Sequence, residues 1–564
     1  MKVGQPVLQC QTNSEAFGMM QERRSGNYKP NIWKYDFLQS LSSKYDEEKY
    51  KTQAERLKED AKHLFIEAVD LQGKLELVDC IIKVGLASHF KDEIKKALDT
   101  IASSIKNDKS DAIKNRYVTA LCFRLLRQHG YEVSQDVFSD FLDENGTFLK
   151  AKSMDVKGVL ELFEASYLAL ESENILDDAK AFSTTILKDI NSATTESNLY
   201  KQVVHALELP FHWRVRWFDV KWHIKTFQKD KSINKTLLDL AKVNFNVVQA
   251  TLQNDLKEIS RWWRNLGLIE NLKFSRDRLV ESFLCTVGLV FEPQYSSFRR
   301  WLTKVVIMIL VIDDVYDIYG SLEELQHFTN AINRWDTAEL EQLPEYMKIC
   351  FKTLHTITGE TAHEMQREKR WDQEQTETHL KKVWADFCQA LFVEAKWFNK
   401  GYTPSVQEYL KTACISSSGS LLSVHSFFLI MNEGTREMLH FLEKNQEMFY
   451  NISLIIRLCN DLGTSVAEQE RGDAASSIVC HMREMEVLEE EARSYLKGII
   501  GNYWKKVNEK CFTQSPEMQL FININVNMAR VVHNLYQNRD GFGVQDHQNK
   551  KQILSLLVHP FKLD

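Results

Sequence analysis

Two aspartates spaced one helical turn apart follow directly on the apolar run Val305–Ile312. On an α-helix Asp313 and Asp317 share a face, and Asp314 stands beside the first of them. Carboxylates crowded at the end of a buried helix repel one another and lose solvation, and a divalent cation relieves both costs. Carboxylate oxygens suit hard Mg²⁺ or Mn²⁺. The sequence therefore indicates a metal site here, and the alternative is a solvated acidic helix end.

A second set of oxygen donors lies near the C-terminal end of the chain. Asn460, Thr464 and Glu468 follow one another in steps of four residues. Such steps rotate by only about 40° on a helix, so the three side chains line one stripe. An amide, a hydroxyl and a carboxylate offer an all-oxygen ligand set for one Mg²⁺, with water or phosphate completing the shell. Helix capping and surface solvation are the alternative explanation.

Arginines accompany both acidic sites. Arg276 and Arg278 flank Asp277 upstream of the first site, and Arg457 precedes Asn460 by three residues. Guanidinium groups suit phosphate oxygens because they stay charged and bind through two hydrogen bonds. Any one of these arginines alone could be a surface salt-bridge partner. Together with the two acidic sites they predict a cradle for a diphosphate.

The elements that must position these residues are helices. The chain has 564 residues and eight prolines, none of them between Pro30 and Pro210, which favours helices over a turn-rich β fold. Apolar residues recur at three- and four-residue spacing, and strand-like alternation is absent. The polar stretch Lys229–Lys235 is the best candidate for a linker. We therefore predict an all-α protein with an N-terminal segment 1–33, a helical domain 34–230 and a second helical domain 231–564.

Composition excludes several other classes of protein. The net charge of −7 argues against a nucleic-acid partner. Ten scattered cysteines without Cys-x-x-Cys spacing favour free thiols in a reducing compartment. The sequence contains no run of 18 apolar residues, so no membrane span is expected. The first 22 residues hold no arginine and two acids, unlike an organelle transit peptide, so a cytoplasmic location is expected.

At these motifs the chain resembles the plant terpene synthase family along nearly its whole length. The aspartate-rich motif is Asp313–Asp317, the second metal motif is Asn460–Glu468, and the basic motif is Arg276–Arg278. The tandem Arg23–Arg24, with eight residues before Trp33, resembles the angiosperm subfamily that holds most monoterpene synthases, isoprene synthases and synthases of acyclic products. Residues 24–33 and 471–480 look most like the sesquiterpene-forming members of that subfamily.

The resemblance implies a catalytically silent N-terminal α-barrel and a C-terminal class I α-bundle, with segment 1–33 capping the active site. It implies an enzyme that binds three Mg²⁺ ions, with Mn²⁺ as a possible substitute. By position, the implied metal ligands are Asp313, Asp317, Asn460, Thr464 and Glu468, with Asp314 a further catalytic candidate. The implied diphosphate ligands are Arg276, Arg278, Arg457 and Asn460. The absence of an Asp-x-Asp-Asp motif argues against protonation-initiated cyclisation.

The resemblance also suggests which residues surround the prenyl chain. Ser416, Ser417 and Ser418 match the polar break in the helix that faces the substrate, and Tyr536 and Phe542 are candidate wall or lid residues. Two positions depart from the family pattern. Cys285 stands where cyclising members commonly carry tryptophan, which removes a π-face that can stabilise a cation. Ser476 stands where many relatives carry lysine, and we expect that a K⁺ ion could replace that charge.

The expected reaction is ionisation of farnesyl diphosphate and deprotonation of the cation to an acyclic sesquiterpene. The alternative is an acyclic monoterpene or isoprene synthase that uses geranyl or dimethylallyl diphosphate. A monomer or weak dimer is expected. A chain-elongating prenyl transferase should carry two aspartate-rich motifs, against which the Asn460–Glu468 pattern argues. A helical scaffold without catalysis would have no need for metal ligands at both sites.

Overall fold

The fold of the chain is helical. A computed structural model describes residues 23–563 except 108–114, 150–154, 192–194, 231–232, 433, 473–475, 513–517 and 538–539. Over these ranges no β-strand occurs, and the one extended pairing is the isolated bridge between Leu142 and Phe148. The all-α prediction is confirmed. Residues 1–22 of the predicted capping segment, and parts of the stretches 229–235 and 471–480, lie outside the described residues.

The N-terminal half is built from short amphipathic helices whose apolar stripes face inward. Within it, the buried guanidinium of Arg124 on α6 donates to Asp79 on α4 and to Glu161 on α7, at 2.8 Å each. The acids therefore compensate the buried charge and join three helices. The helices are α1 Tyr35–Ser40, α2 Glu48–Lys62, α3 Leu64–Glu67, α4 Leu71–Lys83, α5 Lys91–Asn107, α6 Arg116–Gln128, α7 Val156–Ser166, α8 Asn174–Lys188, α9 Ser197–Glu208 and α10 Arg216–Phe227, with 3₁₀ turns at Lys44–Asp46, Ala87–His89, Gln135–Phe141 and Phe211–Trp213.

The C-terminal half consists of longer helices. Its first helix begins where the Asn234 side chain accepts from the Leu237 amide and ends at Gly267, whose φ is +64°, a conformation that glycine adopts at low cost. The helices are α11 Lys235–Leu266, α12 Leu268–Asn271, α13 Leu279–Leu289, α14 Ser296–Asp314, α15 Leu322–Arg334, α16 Glu345–Lys369, α17 Gln373–Lys400, α18 Val406–Ser416, α19 Gly419–Ile430, α20 Arg436–Lys444, α21 Gln446–Arg471, α22 Ser477–Met485, α23 Glu489–Phe512, α24 Gln519–Tyr536 and α25 His547–Leu557. Pro293–Tyr295 and Thr337–Gln342 are 3₁₀ turns.

The first acidic motif sits where helix geometry changes. Helix α14 ends at Asp314 and continues as a π-helix, Val315–Tyr319. The segment closes at Gly320, whose amide donates to the Val315 carbonyl at 2.8 Å. A Cβ at this glycine would lie 2.6 Å from Leu325 Cδ2, so a larger residue would clash. Wide helical turns of this kind often occur at functional sites.

A second irregularity separates α18 from α19. Ser418 has a φ of +63°, and a Cβ at Gly419 would lie 2.8 Å from the Ser453 Cα, so the chain bends where it touches α21. The stretch Val406–Ile430 is long and apolar enough to cross a membrane by composition, but 83% of its most apolar window is buried. This broken pair of helices is thus part of the protein core.

The two halves share one hydrophobic core, which includes residues from Trp33 to Phe561. The C-terminal end packs back against the N-terminal half: Lys221 donates to the Ser555 carbonyl at 2.9 Å, and the Tyr45 hydroxyl donates to the Phe561 carbonyl at 3.3 Å. The break between α10 and α11 lies beside the predicted boundary at residue 230. The division into domains at that residue stays a prediction.

Candidate active site

A polar cleft of about 250 Å³ lies between the two acidic motifs. The π-helical segment forms one side and α21 the other, so residues far apart in sequence face one another. The cleft is lined by Asp313, Asp317, Arg276, Glu394, Arg457, Asn460, Asp461, Thr464, Glu468, Ser476, Tyr536, Asp540 and, from the N-terminal segment, Arg23, Arg24 and Tyr28, among others.

The two adjacent aspartates of the first motif have different surroundings. The half-buried Asp313 lines the cleft and pairs with the Arg276 guanidinium. Asp314 is fully buried and accepts from the Arg276 amide at 2.8 Å and the Ser275 hydroxyl at 3.0 Å. Burial raises the pKa of the Asp314 carboxyl. The structure therefore places Asp314 behind the cleft, where it holds Arg276, and not among the lining residues with Asp313 and Asp317.

The second motif forms the predicted stripe on α21. The Thr464 hydroxyl donates to the Asn460 carbonyl at 2.9 Å, so its lone pairs remain available to a cation. Asp461, next in sequence, also borders the cleft, but it is almost fully buried and its carboxylate is already engaged: it accepts from the Tyr409 hydroxyl at 3.0 Å and from the Ser477 amide at 2.9 Å. It thereby fixes the start of α22 beside the cleft. The motif thus contains three candidate metal ligands and one buried aspartate whose role is structural.

These donors fit a magnesium site. Two carboxylates on one side of the cleft face an amide, a hydroxyl and a carboxylate on the other, and hard oxygen ligands are what Mg²⁺ prefers. Within the described ranges, no three His, Cys, Asp or Glu side chains form a ready-made metal cluster. Mg²⁺ commonly completes its shell with substrate phosphates, which suits donors on opposite walls.

Arg457 is held by a relay that the sequence did not reveal. Its Nη2 donates to the Ser416 hydroxyl at 2.9 Å, and that hydroxyl donates to Glu394 on α17 at 2.6 Å. Burial raises the pKa of Glu394, although the nearby Arg457 opposes this shift. The available sequence signal was an acid directly after the apolar run 390–393, because a buried carboxylate needs a partner.

Arg278 does not line the cleft. Its side chain is 2% exposed and donates to the carbonyls of Phe542 and Asp277, at 2.6 and 2.9 Å. The implied role in diphosphate binding therefore has no geometric support here. Arg278 instead anchors the loop after α24, which carries Phe542.

An apolar pocket of about 150 Å³ adjoins the cleft, and Arg276, Asp313, Arg457, Asn460 and Tyr536 line both. Aliphatic side chains dominate its walls, which prenyl carbon requires. All of the residues suggested for the substrate wall are brought together here: Cys285, Ser416, Ser417, Ser418, Tyr536 and Phe542. Among the described residues that line this pocket, Tyr536 and Phe542 are the aromatic ones.

The N-terminal segment lies across the cleft and is anchored by the tandem arginines. Arg23 makes two hydrogen bonds to Glu324, at 2.5 and 2.7 Å, and one to the Tyr319 carbonyl at 3.0 Å. Arg24 donates to the Asp317 carbonyl at 2.8 Å and lies 4.3 Å from the Phe398 ring centre. Both arginines thus donate hydrogen bonds to backbone carbonyls of the π-helical segment, which carries the predicted metal ligand Asp317.

The other end of this segment is also tied down. The Trp33 indole donates to Glu281 at 3.0 Å, and Gln545 donates to the same oxygen at 2.8 Å. Asn31 donates to Asp277 at 2.9 Å. The segment therefore connects the basic motif, α13 and the loop before α25.

We expect Glu324→Gln to loosen this segment. Although burial opposes the shift, the hydrogen bonds from Arg23 lower the pKa of Glu324 to about 2. The contribution of this pair is thus fully present above about pH 4.3 and is lost as the pH falls toward 2. At pH 7 the variant should be cleaved by trypsin after Arg23 and Arg24 several-fold faster than the native protein. Glu323→Gln, an exposed neighbour, is the control, and equal cleavage of all three proteins would contradict this anchoring.

Ser476 lines the cleft and is 5% exposed. It is the residue before α22, and its hydroxyl makes no capping hydrogen bond. It also lines a neighbouring cavity together with Ser465, Glu468 and Gly472. Its oxygen is therefore placed among other oxygen donors at the edge of the site.

Comparison with known proteins gives the same family in both halves. The model "Terpene synthase, N-terminal domain" matches residues 32–207, and "Terpene synthase family, metal binding domain" matches residues 264–506. An alpha-farnesene synthase of Ricinus communis is 99% identical over 564 residues, 100% of both chains. An (E,E)-alpha-farnesene synthase of Malus domestica is 57% identical over 558 residues, 98% of this chain and 96% of the relative.

A solved structure has the same fold. Isoprene synthase from grey poplar leaves (Populus x canescens), in complex with three Mg²⁺ ions and dimethylallyl-S-thiolodiphosphate, matches with a TM-score of 0.85 at 40% identity, covering 94% of this chain and 99% of that one. The resemblance found in the sequence motifs is confirmed. The chain belongs to the terpene synthase family, with both its N-terminal domain and its metal-binding domain.

Proposed function

We propose that this protein is a Mg²⁺-dependent lyase that converts farnesyl diphosphate to α-farnesene, an acyclic sesquiterpene, and releases diphosphate. One observation carries the proposal. A cleft lined by oxygen and guanidinium groups opens into an apolar pocket, and the two share five lining residues. A prenyl diphosphate has the matching two-part chemistry. The near-identity to an alpha-farnesene synthase supports this product.

The diphosphate end would be held by the residues of the cleft. Asp313 and Asp317 on one side and Asn460, Thr464 and Glu468 on the other would hold the metal ions, as supported by the three Mg²⁺ ions in the related isoprene synthase. Bound Mg²⁺ supplies positive charge to the leaving diphosphate. Arg276 and Arg457 lie between cleft and pocket, where they can stabilise the oxygen that takes up charge as the C1–O bond breaks.

The apolar pocket would receive the allylic cation. Its aliphatic walls exclude water, which would otherwise trap the cation as an alcohol. At the helix break, α18 ends beside the pocket, so the negative ends of backbone dipoles can favour positive charge there. The released diphosphate is the base best placed to remove a proton, because the cation forms beside it.

Turnover of dimethylallyl, geranyl and farnesyl diphosphate with Mg²⁺, with volatile products identified by mass spectrometry, tests this function. We expect the highest kcat/KM with farnesyl diphosphate and α-farnesene as the main product. A preference for geranyl or dimethylallyl diphosphate would favour the alternative function of an acyclic monoterpene or isoprene synthase. Products dominated by cyclic hydrocarbons would contradict the proposed deprotonation of an acyclic cation.

Cys285→Trp tests the role of the pocket wall. This thiol is 9% exposed and lines the apolar pocket, so an indole either offers a π-face to a cyclic cation or fills the pocket. We expect total turnover to fall and the cyclic share of the remaining product to rise. Cys350→Ala, at a buried thiol outside the pocket, is the control. An unchanged rate and product profile in Cys285→Trp would remove this residue from the wall.

We also propose that K⁺ activates the enzyme through Ser476. Its hydroxyl lies with the Glu468 carboxylate at the edge of the cleft, and a monovalent cation there would replace the charge that lysine provides in relatives. At saturating Mg²⁺ and constant ionic strength, K⁺ should raise the rate more than Na⁺ does, and Ser476→Lys should reduce this stimulation. A flat K⁺ titration, or equal stimulation of both proteins, would contradict the idea.

A further inference from the structure

One wall of the apolar pocket is made by two helices that have the N-terminal half directly behind them. Helix α13 contributes Cys285, Thr286 and Leu289, and helix α24 contributes Met528 and Val531 together with further aliphatic residues. Both helices are buried on the side away from the pocket. The residues that pack against this side therefore determine the position of both helices at the pocket.

Helix α13 has no free space behind it at Gly288. A Cβ at this position would lie 2.6 Å from Val531 Cγ2, 3.3 Å from Phe218 Cζ and 3.3 Å from Val215 Cγ1. Val531 lines the pocket, whereas Phe218 lies on α10 and Val215 just before it. At Gly288, α13 thus meets a pocket residue and two residues of the N-terminal half at one close-packed point. Close-packed contacts of this kind transmit small displacements.

Helix α24 is held in the same way. Arg530, next to Val531, donates to the His212 carbonyl at 2.8 Å. The Trp213 ring stacks on His533, with ring centres 4.8 Å apart and planes 9° apart. His533 follows the pocket residue Val532.

His533 extends this contact to the second metal motif. Burial lowers its pKa to about 3, so the ring is neutral near pH 7. Its Nε2 accepts from the Trp504 indole at 2.9 Å, and its Nδ1 lies 3.7 Å from the Cys459 sulfur. Cys459 immediately precedes Asn460. A continuous set of contacts therefore runs from Trp213 to the α21 stripe.

We propose that the catalytically silent N-terminal half sets the shape of the substrate pocket. Val215 and Phe218 hold α13, and His212 and Trp213 hold α24, so these residues determine the preference for prenyl chain length without touching the substrate. They are positioning residues. This proposal rests on the proposed use of prenyl diphosphates by the same site.

The test compares the ratio of kcat/KM for farnesyl diphosphate to that for geranyl diphosphate in the full-length protein. Loss of folded enzyme scales both values equally, whereas a moved wall changes their ratio. Gly288→Ala pushes Val531 into the pocket and should lower the ratio about threefold or more. Phe218→Ala lets α13 move back and should raise it. The double variant should return toward the native ratio.

Phe182→Ala is the matched control, because this half-buried phenylalanine packs within the N-terminal half against Phe148. It should leave the ratio unchanged even if it lowers the melting temperature. Phe218→Leu serves as a milder variant if Phe218→Ala does not fold. The proposal would be overturned if every variant changed kcat/KM by the same factor for both substrates. It would also be overturned if Gly288→Ala and Phe218→Ala shifted the ratio in the same direction. A native enzyme that does not turn over farnesyl diphosphate would instead refute the proposed function.

Discussion

Replacement of Asp313 by alanine should lower turnover by at least about a hundredfold, because Asp313 would hold a metal ion that stabilises the developing charge, and loss of a single stabilising donor at such a site already costs about 2.7–4 kcal/mol. Asp313 lines both cleft and pocket and is paired with Arg276. The fold should survive, since Arg276 keeps its contact with Asp314, 3.0 Å from its Nε. Steady-state kinetics with farnesyl diphosphate and Mg²⁺ measure the effect.

The control for this variant is Asp178→Ala, at an exposed aspartate on α8. It should retain native turnover. The melting temperature of each variant separates lost chemistry from lost fold. A folded Asp313→Ala protein with near-native kcat would exclude this carboxylate from the catalytic set.

Arg457→Gln should lower kcat about a hundredfold or more, with a smaller change in KM, because the guanidinium would stabilise charge that develops as the C1–O bond breaks. Its partners define its position: the Ser416 hydroxyl at 2.9 Å and the Asn460 oxygen at 3.4 Å. Glutamine keeps a donor but loses the charge and the forked geometry. Kinetics at saturating farnesyl diphosphate check this expectation.

Arg493→Gln is the comparison for this substitution. Arg493 on α23 is half-buried and also contacts α21, donating to the Leu462 carbonyl at 2.9 Å, but it does not line the cleft. Its loss should lower stability without a specific fall in kcat. If Arg457→Gln changes only KM, the arginine binds ground state and transition state equally and is not part of the ionising machinery.

Residue spacing predicted the helical fold and the two donor stripes, because amphipathic periodicity and steps of four residues depend on local geometry alone. The π-helix at Val315–Tyr319 was not predicted, since its cause lies outside the segment: Gly320 closes it and Leu325 blocks any larger residue there. The orientation of the adjacent Asp313 and Asp314 was not predicted either, because Asp314 is held behind the cleft by Ser275 and the Arg276 amide, which lie outside the motif.

The same limit applies to charged residues that act through other residues. Arg276 and Arg278 look equivalent in the sequence, yet one faces the cleft and the other binds the Phe542 carbonyl. Glu394 carried no motif, because its importance comes from Ser416 and Arg457 on two other helices. Such pairings depend on tertiary packing, which local patterns do not specify.

Donors on opposite walls of one cleft would hold the metal ions while the prenyl chain fills the adjoining pocket. A crystal structure of the enzyme with Mg²⁺ and an unreactive farnesyl thiolodiphosphate would show this arrangement. We expect Mg²⁺ bound by Asp313 and Asp317 on one side and by Asn460, Thr464 and Glu468 on the other, with the prenyl chain beside Cys285. Metal ions bound elsewhere, or a prenyl chain outside this pocket, would contradict it.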